Sequence, residues 1–295
     1  MSQTIPSLPL PPALKLLRLH HWVKNGFIGA VLFFTPTLLN AHNLLWIGLG
    51  FLAWSFVASA IYIFNDWQDR ENDRLHPVKK NRPLAAGTVS PQLALAMGAV
   101  LGAGGVGLAL WLSPVFLAYL ATYVVINTAY SLRLKHVAII DVMCIAAGFV
   151  LRLLAGAALI EAQASVWIVV LTGMLALFLG FAKRRDDIVK RLSHDHRKSL
   201  DGYSRPFIDT VMAITAGAAL VSYLLYTTDT DVMARLGTQH LYYTAPFVIF
   251  AVLRYLQIAM VEERSGSPTL IFLTDKAILL AGVLWVLTFA GLIYL

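Results

Sequence analysis

Charge is what this sequence has least of. Lys, Arg, Asp and Glu make up 13% of its 295 residues, where a soluble globular chain carries roughly 25%. That deficit excludes a water-facing globule, because too little polar surface exists to coat one. Cysteine is nearly absent as well: Cys144 is alone, which excludes an intramolecular disulfide and a thiolate metal site. The Pro-rich start (Pro6, Pro9, Pro11, Pro12) lacks the charged segment and cleavable apolar core of a secretory signal. No repeat of 20–50 residues, no low-complexity tract and no soluble domain stands out, so the chain reads as a single polytopic unit over 1–295.

What fills the sequence instead is apolar. Hydrophobic residues account for 58% and the mean hydropathy is +0.71. Charge-poor runs cover 26–64, 83–132, 162–182, 210–228, 236–253 and 277–295. One span needs about 20 apolar residues, so the first two runs hold two spans each, and the residues flanking Asp141 and Arg152 supply another. The expectation is an all-α integral membrane protein of nine transmembrane helices around a central cavity open to the cytoplasmic side. The helices fall near 25–41, 44–65, 91–112, 115–132, 139–160, 165–182, 207–227, 240–257 and 277–294, separated by turn chemistry such as Thr35-Pro36 and Ser113-Pro114.

With nine spans, the N-terminal segment 1–24 and the exits of the even-numbered helices share one face. That face holds every Lys and Arg except Arg235 and the intramembrane Arg152. By the positive-inside rule it is cytoplasmic, and the C-terminus lies opposite. The charge is assigned to topology, anionic lipid head groups and substrate phosphates, not to nucleic acid. A homo-oligomer is left open.

Two cytoplasmic segments, 66–90 and 183–206, carry the chemistry. At the end of the second helix the chain reads Asn65-Asp66-Trp67-Gln68-Asp69-Arg70-Glu71-Asn72-Asp73. Asp66, Asp69 and Asp73 are spaced i, i+3, i+7, one stripe of a helix. Three carboxylates there repel one another unless a cation intervenes. Mg²⁺ suits them, because it takes oxygen ligands from one or two carboxylates plus substrate phosphates. The bland alternative is a solvated acidic helix end offset by Arg70 and Arg74. Downstream, His76-Pro77-Val78-Lys79-Lys80-Asn81-Arg82-Pro83-Leu84-Ala85-Ala86-Gly87 adds Lys79 and Arg82, cations suited to gripping a diphosphate.

These two motifs together resemble the membrane prenyltransferase superfamily typified by the 4-hydroxybenzoate polyprenyltransferases. The resemblance implies nine transmembrane helices and two Asp-rich cytoplasmic motifs holding Mg²⁺ and a prenyl diphosphate. The first motif matches at every defining position. The second does not: after the sixth helix the chain reads Lys183-Arg184-Arg185-Asp186-Asp187-Ile188-Val189-Lys190, which offers no second carboxylate stripe.

That departure is similar to the decaprenyl-phosphate phosphoribosyltransferase subgroup. The likeness includes Trp22-Val23-Lys24-Asn25, Tyr130-Ser131-Leu132-Arg133-Leu134-Lys135-His136, Asp141 with Gly148-Phe149-Val150-Leu151-Arg152, and Arg197-Lys198-Ser199-Leu200-x-x-Tyr203. Leu19 and His21 depart from it, standing where Pro and Gln are usual. The subgroup implies transfer of 5-phosphoribose from phosphoribosyl diphosphate to a polyprenyl phosphate. Charge balance agrees, since one acidic stripe would serve the leaving diphosphate while separate cations serve the phosphates. Asp66, Asp69 and Asp73, with Asn65 in support, would hold Mg²⁺ on the diphosphate. Lys24, Asn25, Lys135, Lys183 and Arg184 are candidates for the donor 5-phosphate or the lipid phosphate. His20, His21, His76 and His136 are not needed as bases, because the acceptor phosphate is already ionised.

Several residues keep two readings. Arg152, eleven residues after Asp141 on the same helical face, is a functional intramembrane cation or half of an interhelical pair. Asp141 binds ribose or orients a cation, or else pairs with Lys135. Asp187 has a catalytic or ribose-binding role, or else forms a salt-bridge stripe with Arg184 and Arg191. Tyr130 contacts a phosphate or belongs to an interfacial aromatic belt. The rival functions are a prenyltransferase with an aromatic or other small acceptor and a transporter. A transporter predicts ionisable residues along a through-path, and here they gather at one face.

Overall fold

The computed structural model describes residues 11–77, 79–189 and 198–294. Helix is the only regular structure among them. In chain order the helices are α1 (Pro12–Leu16), a 3-10 stretch (Leu19–Gly29), α2 (Ala30–Phe33), α3 (Ala41–Gln68), α4 (Arg70–Leu75), α5 (Pro91–Leu112), α6 (Pro114–Leu132), α7 (Ile140–Leu159), α8 (Val166–Val189), α9 (Arg205–Thr228), α10 (Thr230–Leu236), α11 (Ala245–Met260), α12 (Pro268–Thr274) and α13 (Lys276–Tyr294), with further short 3-10 turns between them. Eight of the described helices are long and apolar enough to span a membrane. The protein is a multi-pass membrane protein.

The expected starts are written in capping chemistry. Asn40, Ser90, Ser113 and Ser204 each accept the backbone N–H three residues on, from Asn43, Leu93, Phe116 and Phe207. Pro91 and Pro114 open their helices, where the missing N–H costs nothing.

The first expected span, 25–41, is corrected. It is not one helix but the 3-10 stretch Leu19–Gly29, then α2, then a 3-10 turn at Pro36–Leu38. Apolar composition cannot tell a continuous helix from such a broken one. Its docking explains the breakage: Ile28 presents its carbonyl to α7, where a Cβ on Gly156 would come within 1.9 Å of that oxygen. Backbone lies on backbone there, and only glycine allows it.

Two other boundaries move, and both matter for the site. The second expected span runs past 65 to Gln68, so Asp66 belongs to a helix. The sixth runs past Ala182 to Val189, so Lys183 to Asp187 are helical and not loop. Residues 190–197, which include Arg191 and Arg197, lie outside the described residues.

Packing places α7 centrally. It contacts α6, α8, α3 and the 3-10 stretch, while α3 pairs mainly with α5 and α8 with α9. One apolar core joins the 3-10 stretch, α3, α6 and α7 through Ile28, Trp54, Phe116 and Leu159. A second joins α8, α9 and α11 through Phe178, Ile208, Met212 and Tyr255. Most of α5 and α13 faces outward, with Val100, Trp111, Leu280 and Leu287 exposed as lipid contact requires.

Candidate active site

The site begins with how the 3-10 stretch lies against α3. Trp22 Nε1 donates to Ser59 Oγ at 3.0 Å, Asn25 Nδ2 donates to Ser55 Oγ at 2.9 Å, and Ser59 Oγ donates to the Leu17 carbonyl. The two segments therefore run antiparallel. Arg18 meets the Asp66 end of α3, and Asn25 meets Ser55, about 16 Å further along the helix at 1.5 Å per residue.

At the first end, Asp66 is buried and accepts from Arg18 Nη2 at 2.6 Å and from Arg82 Nη1 at 3.0 Å. The same Arg82 nitrogen donates to Asp73 Oδ2 at 2.7 Å. One guanidinium thus bridges the first and third carboxylates of the stripe. The helix breaks between them, since Asp69 ends α3 and α4 starts at Arg70, with the Asp73 N–H still bonded to the Asp69 carbonyl. Asp69 is half-buried with no side-chain hydrogen bond or ion pair among the described contacts, and Asn65 contributes its carbonyl to the Asp69 N–H.

Among the described residues no three His, Cys, Asp or Glu side chains converge as a metal-holding group. Arg18 and Arg82 supply the positive charge instead. The donor set nonetheless has the chemistry of a hard-cation site: two carboxylates already drawn to one point, and a third one turn away with no ionic partner.

Arg18 went unnoticed in the sequence. It sits with φ 51°, in the left-handed region, and its guanidinium lies 5.1 Å from the Tyr62 ring centroid. No spacing rule links residue 18 to residue 66.

Deeper along α3 lies a different arrangement. Arg152 is 6% exposed. Its Nε donates to Asn25 Oδ1 at 2.8 Å, Nη1 to the Gly148 carbonyl at 2.6 Å, and Nη2 to the Tyr123 hydroxyl at 3.1 Å. The aromatic faces of Tyr123, Trp54 and Phe149 surround it. No carboxylate pairs with it among the described residues. Lys24, next to Asn25, is close enough to Arg152 and Lys183 to feel their charge; burial first, then Lys183 and Arg152, pull its ammonium down to about 8. His21 is pulled down to about 3, by burial first and then by Lys24, His20, Arg18 and Lys183, so it is neutral at physiological pH.

The third cluster is built around Asp141 and Arg184. Asp141, fully buried, accepts from Arg184 Nε at 2.7 Å, Tyr203 Oη at 2.6 Å and Ser199 Oγ at 3.2 Å. Burial first, and then the bond to Asp141, push the Tyr203 phenol up. Its oxygen also accepts the Ile139 N–H, at a residue with φ 70°. The expected alternative partner, Lys135, is not the one used. Arg184 also reaches Asp187 at 3.2 Å; Arg191, the other arginine of that stripe, lies outside the described residues. Arg185 is held by Asp209 at 2.6 Å and by the Ala259 carbonyl. Tyr130 lies within electrostatic reach of Arg184. Lys135, half-buried, sits in a 3-10 turn after α6. Lys79 donates its backbone N–H to His76 Nδ1.

An apolar cleft of about 700 Å³ opens between α8, α9, α11 and α13, lined by Phe34, Leu175, Tyr223, Phe247, Tyr255 and Trp285 among others.

Against known proteins, residues 26–198 match the UbiA prenyltransferase family. The decaprenyl-phosphate phosphoribosyltransferase of Corynebacterium glutamicum is 30% identical, over 96% of this chain and 86% of that protein. Its namesake from Mycobacterium tuberculosis is 29% identical, over 94% of this chain and 95% of that one. Among solved structures, a UbiA homolog from Archaeoglobus fulgidus bound to DMAPP and Mg²⁺ superposes with a TM-score of 0.70 at 20% identity, covering 95% of this chain and 98% of that one.

Proposed function

The chain belongs to the UbiA prenyltransferase family, and from that premise we propose that it transfers 5-phosphoribose from phosphoribosyl diphosphate to a polyprenyl phosphate. The observation that carries this reading is the state of the second acidic position. At the end of α8 the acid Asp187 is bound to Arg184 and Arg185 to Asp209, and among the described residues no second group of carboxylates is gathered there for a second metal. Names of relatives at 29–30% identity support the same choice. The cleft beside α8, α9, α11 and α13 suits an isoprenoid chain under this reading and under prenyl transfer alike.

Asp66, Asp69 and Asp73 would hold Mg²⁺, which when bound neutralises the leaving diphosphate. The chain's own groups do the remainder. Arg82 and Arg18, already at the stripe, bind the diphosphate oxygens as the carboxylates turn to the cation. The acceptor phosphate oxygen attacks ribose C1, the C1–O bond to diphosphate breaks, and the new phosphodiester retains no proton to be removed. The acceptor is ionised at neutral pH, so no general base is required, and a neutral His21 is compatible with that. The basic face carrying the stripe is assigned to the cytoplasm of a bacterium, where a soluble phosphorylated donor is found.

The test is transfer in membranes supplied with labelled phosphoribosyl diphosphate and polyprenyl phosphate, against a prenyl diphosphate with an aromatic acceptor. Label entering the lipid is the expected result; transfer from the prenyl diphosphate alone refutes the proposal. Replacing Asp66 by Asn should lower kcat/KM about 100-fold or more, and EDTA should abolish turnover. Undiminished turnover in Asp66→Asn and Asp73→Asn removes the metal assignment.

A further inference from the structure

Ile139 holds a backbone conformation that its own side chain opposes. Its φ is 70° and its ψ −52°, and the Ile140 N–H donates to the Ala138 carbonyl at 2.8 Å. An i to i+2 bond around such angles is the rarer, strained kind of γ-turn. A β-branched residue is a poor choice for it, and conformations of this class persist only where their surroundings enforce them. Burial does not enforce this one, because Ile139 is 44% exposed. Nor does its side chain cap α7, the helix that it opens.

The enforcement comes from the 3-10 turn Lys198–Gly202 and the tyrosine after it. The Tyr203 hydroxyl accepts the Ile139 N–H at 2.5 Å and donates to Asp141 Oδ1 at 2.6 Å. Ser199 Oγ donates to the other oxygen of Asp141. Gly202 lies so near Ala138 that an added Cβ would come within 2.6 Å of the alanine's own. The Tyr203 ring is fixed in turn, stacked on Phe207 at 6.1 Å and met edge-on by Phe181 at 6.2 Å. What the turn decides is direction. It joins the 3-10 turn Leu134–His136 to α7, so its angles set how the chain carrying Lys135 leaves that helix. Across Asp141 stands Arg184 of α8, at 2.7 Å.

We infer that Tyr203 is a positioning residue, a latch that holds Ile139 in its strained turn and thereby sets where the 133–138 segment stands against α8. Its single O–H is directed at Asp141, which leaves it no proton for a substrate. The link to turnover rests on the proposed reaction; the latch itself rests on the turn and its bonds alone.

The experiment compares Tyr203→Phe with the double variant Tyr203→Phe, Ile139→Gly, each as the purified full chain in lipid nanodiscs. Tyr203→Phe leaves Asp141 with Arg184 and Ser199, so no buried charge is orphaned and the fold survives. Hydrogen exchange, read without substrate, should then be about tenfold faster over 133–138 and unchanged in the middle of α7. Glycine adopts a positive φ without steric cost, so the double variant needs no latch and should regain most of the protection. The KM for phosphoribosyl diphosphate should follow the same pattern, rising severalfold in Tyr203→Phe with kcat kept, and falling back in the double variant. Unchanged exchange in Tyr203→Phe overturns the inference. So does a double variant as loose as the single one, because the hydroxyl would then be holding something other than strain. Exchange that responds while KM stays put makes Tyr203 scaffold alone and overturns its positioning role. If exchange behaves as expected and phosphoribose is never transferred, the reaction assignment falls and the latch stands.

Discussion

Arg184 and Arg152 are both buried arginines on neighbouring membrane helices, and they are treated in opposite ways. Arg184 is met by Asp141 at 2.7 Å, and Ser199 and Tyr203 complete the acid's shell. Arg152 is met by an amide, a phenol, a carbonyl and three aromatic faces. A closed ion pair fixes helices, and its charge is already met. An open cation has charge to spare. Residues of one type, equally buried, thus divide into scaffold and site according to what lies opposite.

The comparison is broken most severely at the closed pair. Arg184→Met leaves Asp141 buried without a cation, and thermal unfolding in detergent should register a loss of about 3–5 kcal/mol. The double change Arg184→Met with Asp141→Asn should recover part of it; no recovery would mean the pair is not the unit that matters.

Next in size is Gly156→Ala. The added Cβ meets the Ile28 carbonyl at 1.9 Å, so the 3-10 stretch must lift from α7 and carry Asn25 away from Arg152. Overpacking of this kind costs about 1–3 kcal/mol. The accompanying sign would be weaker donor binding, and an unchanged KM would show that the stretch does not set the site.

A smaller effect sharpens the open side. With its ammonium lowered to about 8, Lys24 loses charge as pH rises through that value, well below the ordinary lysine range. Burial acts on it first, then the charges of Lys183 on α8 and Arg152 on α7. Since kcat/KM reports the free enzyme, its alkaline limb should fall near pH 8. Lys24→Arg should move that limb upward by at least a unit, whereas a limb that stays put assigns it to another group.

The smallest effect is expected at Glu71, whose bonds to Arg70 and Arg74 are solvent-exposed. Exposed pairs contribute little. Glu71→Ala should leave unfolding temperature and kcat/KM unchanged, and a clear loss would show the acidic stripe extends further than Asp66, Asp69 and Asp73.

Much of this was legible from residue order. Spans at 91–112, 115–132, 139–160 and 277–294 lie within a residue or two of α5, α6, α7 and α13, because apolar length and Ser or Pro starts are local properties. The grouping of Asp66 with Asp73 and Arg82 was also readable, since all three lie within one helix end and the loop behind it. Three features were not. The first span's breakage depends on Gly156, far away in sequence. Arg18 reaches Asp66 across a separation of 48 residues. The choice of Arg184 over Lys135 for Asp141 depends on α8 continuing as helix beyond Ala182.

By itself, then, the order of residues determined that this chain lies in a membrane, where most of its helices begin, and which end collects acid and base. Those outcomes follow from solvation and capping, which act over a few turns of helix. Only the tertiary structure decided which charges cancel. Pairing is a matter of distances between groups on different helices, and whether a cation ends as scaffold or as site is set by the side chain that packing places against it.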